Sequence, residues 1–341
     1  MKNARTVVSK RLALAAATAI GCTVAAPALA MDLKEVVFGT NWLAQAEHGG
    51  FYQSVADGTY AECGLDVTIV PGGPQVNNRA LMLAGRMDFH MGGDLLPAFL
   101  SAKEGIPVVA VMAAFQKHPQ VIIAHPGEAE NWDDLKDLTL LVGDNAFATG
   151  YYRWMIAEHG FTEDQREPYT FNPAPFLADT SKAMQGYLSS EPYVIQTEAG
   201  FEPEIFLIAD NGYSTYATTV ETMQATIDED PEAVKCFVEG SIVGWYNYLY
   251  GDNAAANEMI MADNSEMSQD KIDFAIEKMK EFGIVDSGDA LELGIGAMTE
   301  ETIDGFYNAM VDAGVIEAGL DYSGAYTTEY VNQGLGLDLK P

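Results

Sequence analysis

The chain has 341 residues, with 18 Lys and Arg against 50 Asp and Glu, a net charge of −32. A field of that sign repels phosphate backbones and anionic headgroups, which argues against nucleic-acid and membrane-surface binding. With 48% hydrophobic residues and aromatics along its whole length, the chain is a well-cored globular protein of about two domains or two lobes, not a disordered one.

The first segment, Met1 to Arg11, is short and basic, and Leu12 to Val24 is apolar and alanine-rich. Ala28-Leu29-Ala30 then supplies the small residues that a signal peptidase reads, so residues 1–30 are expected to be a cleaved export signal and the mature protein periplasmic. The competing reading is lipidation at Cys22, which follows Gly21 but has Ala19, not leucine, three places before it. Beyond residue 31 no hydrophobic run is long enough to span a bilayer. Cys63 and Cys236 remain after cleavage, and their pairing and their separate burial are both open. No Cys or His spacing suits a metal, and no cofactor motif occurs.

In chain order, Val36-Val37-Phe38 reads as a buried strand, a loop through Asn41, Trp42 and Gln45 follows, and a helix runs from Gly49-Gly50 to about Tyr60. Leu65 to Val70 alternates as a strand stopped by Pro71-Gly72-Gly73-Pro74. Next come a helix over 76–84, a strand over 87–91, a helix opened by Gly92-Gly93-Asp94, and a strand over 107–114. The pattern restarts after Lys117, with strands over 121–124 and 138–142, a short helix capped at Asn131 and a loop over 143–147. A helix over 148–159, an extended segment over 169–172 and a helix over 181–188 follow, then strands over 193–196 and 205–209. From Thr219 onward the character is helical, over 234–249, 254–261, 269–282 and 300–313. This alternation predicts an α/β fold of two lobes with mostly parallel sheets and a helical C-terminal tail.

Ligands of open parallel sheets bind beyond the carboxyl ends of the strands, where backbone groups lack partners. The candidate loops there are 40–50, 91–95, 143–150, 172–177, 189–192 and 211–218. They offer Asn41, Trp42, Gln45 and His48; Gly93 and Asp94; Asn145 and Phe147; Asn172 and Phe176; Ser190 and Glu191; Tyr213 and Tyr216 as candidate ligand-binding residues. Gly49 and Gly50 are read as letting a ligand approach helix N–H groups. Tyr213 and Tyr216 have an alternative as packing at the crossover between lobes, and Glu191 as an exposed loop charge.

Trp42, His48-Gly49-Gly50-Phe51-Tyr52, Gly58-x-Tyr60, Gly64-Leu65-Asp66-Val67 and Gly85-x-x-Asp88-Phe89 resemble the opening of periplasmic substrate-binding proteins of ABC importers. The branch is the one that includes binders of nitrate, sulfonates, taurine and thiamine pyrimidine precursors. Ala183-x-x-Gly186-Tyr187-x-x-Ser190-Glu191-Pro192 resembles a second-lobe segment of that group, and Asp134-Leu135-Lys136-Asp137-Leu138 its interlobe turn, with Asp137 where glycine is usual. The resemblance covers about residues 36–215. It implies a two-lobed periplasmic binding protein of type II, closing on a ligand by hinge motion and docking on a membrane permease served by an ATPase. The lobes would be 31–117 with 218–341, and 118–217. A monomer with no catalytic residues and no cofactor is expected.

For the ligand, the candidate loops carry Glu47, Asp94, Asp144 and Glu191 but no Lys or Arg. A carboxylate desolvated against an anion is unfavourable, so the expected ligand is a neutral or cationic planar nitrogen heterocycle, a thiamine-related pyrimidine foremost. The alternative is an anion of the taurine, sulfonate or nitrate type. Some relatives of the fold synthesise the thiamine pyrimidine with a cysteine-rich iron motif, and no such cysteine cluster occurs here.

Overall fold

The structure, a computed structural model, describes Met1 and residues 33–341 except Gln75. The expected signal segment, with Cys22, lies outside the described residues. Among the described residues, ten strands form two five-stranded sheets. The first contains β1 (Lys34–Gly39), β2 (Leu65–Val70), β3 (Phe89–Met91), β4 (Val108–Phe115) and β10 (Ala217–Met223), in the order β2-β1-β3-β10-β4. The second contains β5 (Gln120–Ala124), β6 (Thr139–Val142), β7 (Arg166–Pro168), β8 (Lys182–Tyr187) and β9 (Glu204–Leu207), in the order β7-β6-β8-β5-β9. The chain passes to the second sheet between β4 and β5, and returns between β9 and β10.

The sheets are mixed, not mostly parallel. β1 runs parallel to β2 and β3, and β6 to β7 and β8. β10 is antiparallel to both its neighbours, as is β5 to β8 and β9. β10 falls where a helical region was expected to begin, although Thr218-Thr219-Val220-Glu221-Thr222 is rich in the β-branched residues that strands favour. Its burial between β3 and β4 decides the matter.

Three further expectations are corrected. Residues 181–188 form strand β8 instead of a helix, because they pair on both sides, with β5 and β6. Residues 193–196 are helical, in Glu191–Val194 and the π-turn Ile195–Ala199; Pro192 in the first turn presets the helical φ. Residues 144–149 are a helix started by Gly143, not a loop.

Alternation along β1 divides the core. Phe38 meets Phe237 of the helix Pro231–Tyr250 (centroids 5.1 Å apart), and Phe89 of β3 stacks on the same ring at 4.1 Å. Val37, pointing the other way, joins Met82, Met87 and Val108 in a separate cluster. The helix Gly49–Ala56 crosses Pro231–Tyr250 so closely that a Cβ on Gly49 would lie 2.0 Å from Tyr248, and one on Gly50 2.2 Å from Trp245. These glycines therefore serve helix packing, which corrects their reading as a ligand approach. At the same crossing the Ser54 hydroxyl donates to the Gly240 carbonyl at 2.8 Å.

Cys63 and Cys236 are disulfide-bonded, tying the end of the helix Thr59–Glu62 to the long helix across 173 positions. Of the C-terminal helices, Ala254–Asp263 packs on Gly49–Ala56 and Gln269–Glu281 on Ala46–His48, while Glu300–Asp312 sets Phe306 against Phe99 and Tyr213. Asn264 Nδ2 donates to the Ala44 carbonyl at 2.9 Å, and the Tyr52 hydroxyl to Asp263 at 2.7 Å. Among the described residues no helix is long and apolar enough to cross a membrane.

Candidate functional site

A cavity of about 350 Å³ lies where the loops of the two sheets meet. Its first wall is the segment after β1, which is held from behind. Thr40 Oγ1 donates to the Trp42 carbonyl at 2.8 Å and accepts from Gly72 N–H, while Asn78 Nδ2 donates to the Thr40 carbonyl at 2.9 Å. So anchored, the segment presents Asn41, Trp42, Gln45, Glu47 and His48 to the cavity. Met91 at the end of β3 and Thr218 in β10 complete this side.

The opposite wall comes from the second sheet. Gln185 and Tyr187, two apart on β8, share a face of the strand, and both line the cavity with Gly186, Ser190 and Glu191. Gln120 opens β5, Asn145 lies in the helix after β6, and Tyr169 and Phe171 follow β7. Gln185 is fixed as an acceptor, its Oε1 taking Gly143 N–H at 2.6 Å and the Tyr151 hydroxyl at 3.2 Å. Glu191 Oε2 accepts Tyr187 N–H and the Ser190 hydroxyl, each at 2.6 Å.

Contacts cross from one wall to the other. The Ser189 hydroxyl donates to Glu47 Oε1, both residues being buried. Trp42 lies 5.3 Å from Phe171, which also lies 5.5 Å from Tyr169. Phe171 is 56% exposed and has φ +61°, a region that bulky residues enter only when the surroundings compel it. Thr218 has φ +48°, so two of the three described non-glycine residues with positive φ line this one cavity.

Burial sets the charge state. Desolvation pushes the Glu47 carboxyl up to about 7, against the Ser189 hydrogen bond, which favours its ionised form. Desolvation also draws His48 down to about 3, so its imidazole is neutral at physiological pH, and its Nδ1 is buried with no hydrogen-bond partner. Tyr187 and Tyr169 are both raised, by burial first and then by nearby carboxylates. Among the described residues no Lys or Arg lines the cavity. Flat apolar faces, amide groups and two carboxyls can stack on a ring and read the donors and acceptors of its edge.

Of the residues expected from sequence, Asn41, Trp42, Gln45, His48, Asn145, Ser190 and Glu191 are brought together here. The others are placed elsewhere. Asp94 lines a neighbouring groove and accepts Leu96 N–H and the Tyr213 hydroxyl, while the Gly93 carbonyl accepts from Thr219 N–H. Phe147 sits against the guanidinium groups of Arg153 and Arg166, and Asn172 caps Ala174 N–H. Phe176 is fully buried against His125. Tyr213 packs on Trp154 and Phe306, and the Tyr216 hydroxyl bonds Asp289, so both serve the crossover back to the first sheet. Sequence reasoning missed Gln120, Tyr169, Phe171, Gln185 and Tyr187 as wall residues. Reading 181–188 as a strand would have put Gln185 and Tyr187 on one face. Phe171 carries no such signal.

A family model described as NMT1/THI5 like matches residues 45–256. The chain is 23% identical over 331 residues to the riboflavin-binding protein RibY of Chloroflexus aurantiacus, covering 91% of this chain and 89% of that one. Among solved structures it is similar to the periplasmic aliphatic sulphonate binding protein SsuA of Escherichia coli, with TM-score 0.60 at 11% identity, covering 89% and 98% of the two chains. It is also similar to the periplasmic nitrate-binding protein NrtA of Synechocystis PCC 6803, with TM-score 0.52 at 14% identity, covering 85% and 84%. At such identities the likeness establishes the periplasmic-binding-protein fold and not the ligand.

Proposed function

Because the chain belongs to the NMT1/THI5-like family, we propose that it is the exported solute-binding component of an ABC importer. In this reading it takes a flat, uncharged or cationic nitrogen heterocycle into the cavity and delivers it unchanged, as a monomer, to a membrane permease. The observation that carries the reading is the chemistry of the wall: Trp42, Tyr169, Phe171 and Tyr187 beside amides and two carboxyls, with no Lys or Arg. With His48 neutral, no side chain of the wall brings a positive charge to an anion, and burying one against the ionised form of Glu47 or of Glu191 would be unfavourable. The orphaned His48 Nδ1 supports the same reading, since a buried unpaired nitrogen favours a ligand that bonds it. Within the class, a thiamine-type aminopyrimidine and a flavin ring both present such an edge, and the similarity to RibY supports the flavin.

The test is calorimetry of the mature protein with riboflavin, a thiamine-type aminopyrimidine, taurine and nitrate, followed by mass spectrometry of the recovered ligand. A heterocycle should bind with Kd of about 1 μM or tighter and return unaltered. Binding of taurine or nitrate with no heterocycle bound refutes the ligand class, and turnover refutes the role as a carrier.

A further inference from the structure

A second groove, of about 490 Å³ and more open than the first, abuts the cavity, and Gln120 and Asn145 line both. The two spaces therefore adjoin along one side-chain boundary. Their chemistries differ. The first is walled by several aromatic rings; the second has the aliphatic Leu96, Leu100, Ile106 and Ala146, a single phenol ring, Tyr151, and scattered polar groups.

Charge narrows what the second space accepts. Its one cation, Arg79, is committed: the guanidinium donates to Glu221 at 2.7 and 3.3 Å, to the Pro97 carbonyl at 3.2 Å and to Ser101 Oγ at 2.9 Å. Glu221 is fully buried and neutralises it. Asp94 and Glu104 also line the groove, so a phosphate or carboxylate there would meet like charge. Asp94 already accepts Leu96 N–H at 2.9 Å and the Tyr213 hydroxyl at 3.0 Å, which makes it a poor partner for a lone cation. His118 Nδ1 accepts Gln120 N–H at 3.2 Å, so the proton of the neutral ring sits on Nε2, a donor. Donors and acceptors mixed on an aliphatic floor suit hydroxyl groups, each of which gives and takes one bond.

The geometry points to a ligand of two parts: a flat ring in the first cavity, and an uncharged hydroxylated tail that passes beside Gln120 and Asn145 into the second. This rests on the heterocycle reading above and adds to it a tail, its polarity and its lack of charge. It also assigns Asp94 and Glu104 a selectivity role, that of rejecting the phosphorylated form of the same ligand.

The experiment compares three probes on the mature protein: lumiflavin (the ring with a methyl group), riboflavin (the ring with a five-carbon polyol) and riboflavin 5′-phosphate. Riboflavin should bind about ten-fold or more tightly than either of the others. Two variants add bulk at residues that line only the second space, Ala146→Trp and Ile106→Trp, the latter at a position 37% exposed. Each should bring riboflavin to the affinity of lumiflavin and leave lumiflavin within about two-fold of its original value. Equal binding of lumiflavin and riboflavin by the unmodified protein overturns the inference, as does an unchanged ratio in both variants or equal binding of the phosphate. If an aminopyrimidine binds and neither flavin does, the two-part ligand is refuted while the proposed function stands; if no heterocycle binds, both fall.

Discussion

Glu47 and His48 are adjacent, buried and oppositely displaced, and their effects on stability can be separated. Glu47 moves from 4.5 to about 7 on folding, so between these values the unfolded chain has released a proton that the folded one keeps. Stability therefore falls as pH rises through that window, by roughly 3 kcal/mol from this group alone. His48, drawn from 6.5 to about 3, acts oppositely, and its contribution is lost as pH falls from 6.5. Between pH 4.5 and 6.5 the two slopes oppose. Glu47→Gln, which can still accept the Ser189 hydroxyl, should leave the His48 slope exposed. Its melting temperature should climb more steeply than that of the unmodified protein over this range, and parallel profiles would disprove the assignment. Phe171 offers a second test at this scale. Phe171→Gly relieves a backbone conformation that costs about 1–3 kcal/mol while removing a ring from the cavity mouth. The melting temperature should hold or rise, and on the proposed flavin reading riboflavin should bind about ten-fold more weakly, near 1.4 kcal/mol. Trp42→Ala should weaken it by at least as much.

At the scale of elements, the crossing of Gly49–Ala56 over Pro231–Tyr250 is the most tightly specified contact. Gly50 meets Trp245, and a Cβ on Gly244 would lie 1.8 Å from Ser54 Oγ, so both helices contribute small residues to the same approach. Gly50→Ala is expected to destabilise by about 1–3 kcal/mol through overpacking, read by denaturant unfolding. The helix it begins follows Glu47 and His48 directly, so a crossing forced apart also shifts the first wall of the cavity. The disulfide from Cys63 reinforces the same long helix by closing a loop of 173 positions. Replacing Cys63 and Cys236 together by Ser should lower stability by about 2–4 kcal/mol, while affinity at 25 °C stays within about two-fold, since neither residue lines the cavity.

Across the whole molecule, the cavity is made by neither sheet alone. Glu47 with Ser189 and Trp42 with Phe171 join the two walls, and a ligand touching both would favour the closed arrangement by its differential affinity for it. The division into 31–117 with 218–341 and 118–217 is proposed as the pair of bodies that move. Small-angle scattering should then show a smaller radius of gyration with riboflavin than without it. Identical curves at saturating ligand would mean that the walls do not move apart.

Length, charge and the strand and helix periods of 34–115 were enough to specify an α/β chain with an acidic surface and one wall of the cavity. Those elements are local: Leu65–Val70 alternates and stops at a proline-glycine turn, and Asn41 to His48 are eight consecutive residues of the chain. The opposite wall depended on partners far away in the chain. Residues 182–187 are a strand because β5 and β6 flank them, and 217–223 because β3 and β4 do. Tyr213, Tyr216 and Phe176, aromatic and loop-borne like Trp42, were drawn into packing instead of the cavity, since an aromatic side chain buries its face wherever the nearest apolar surface lies. Which rings line the cavity is therefore a property of how two sheets meet, and only the assembled tertiary structure decided it.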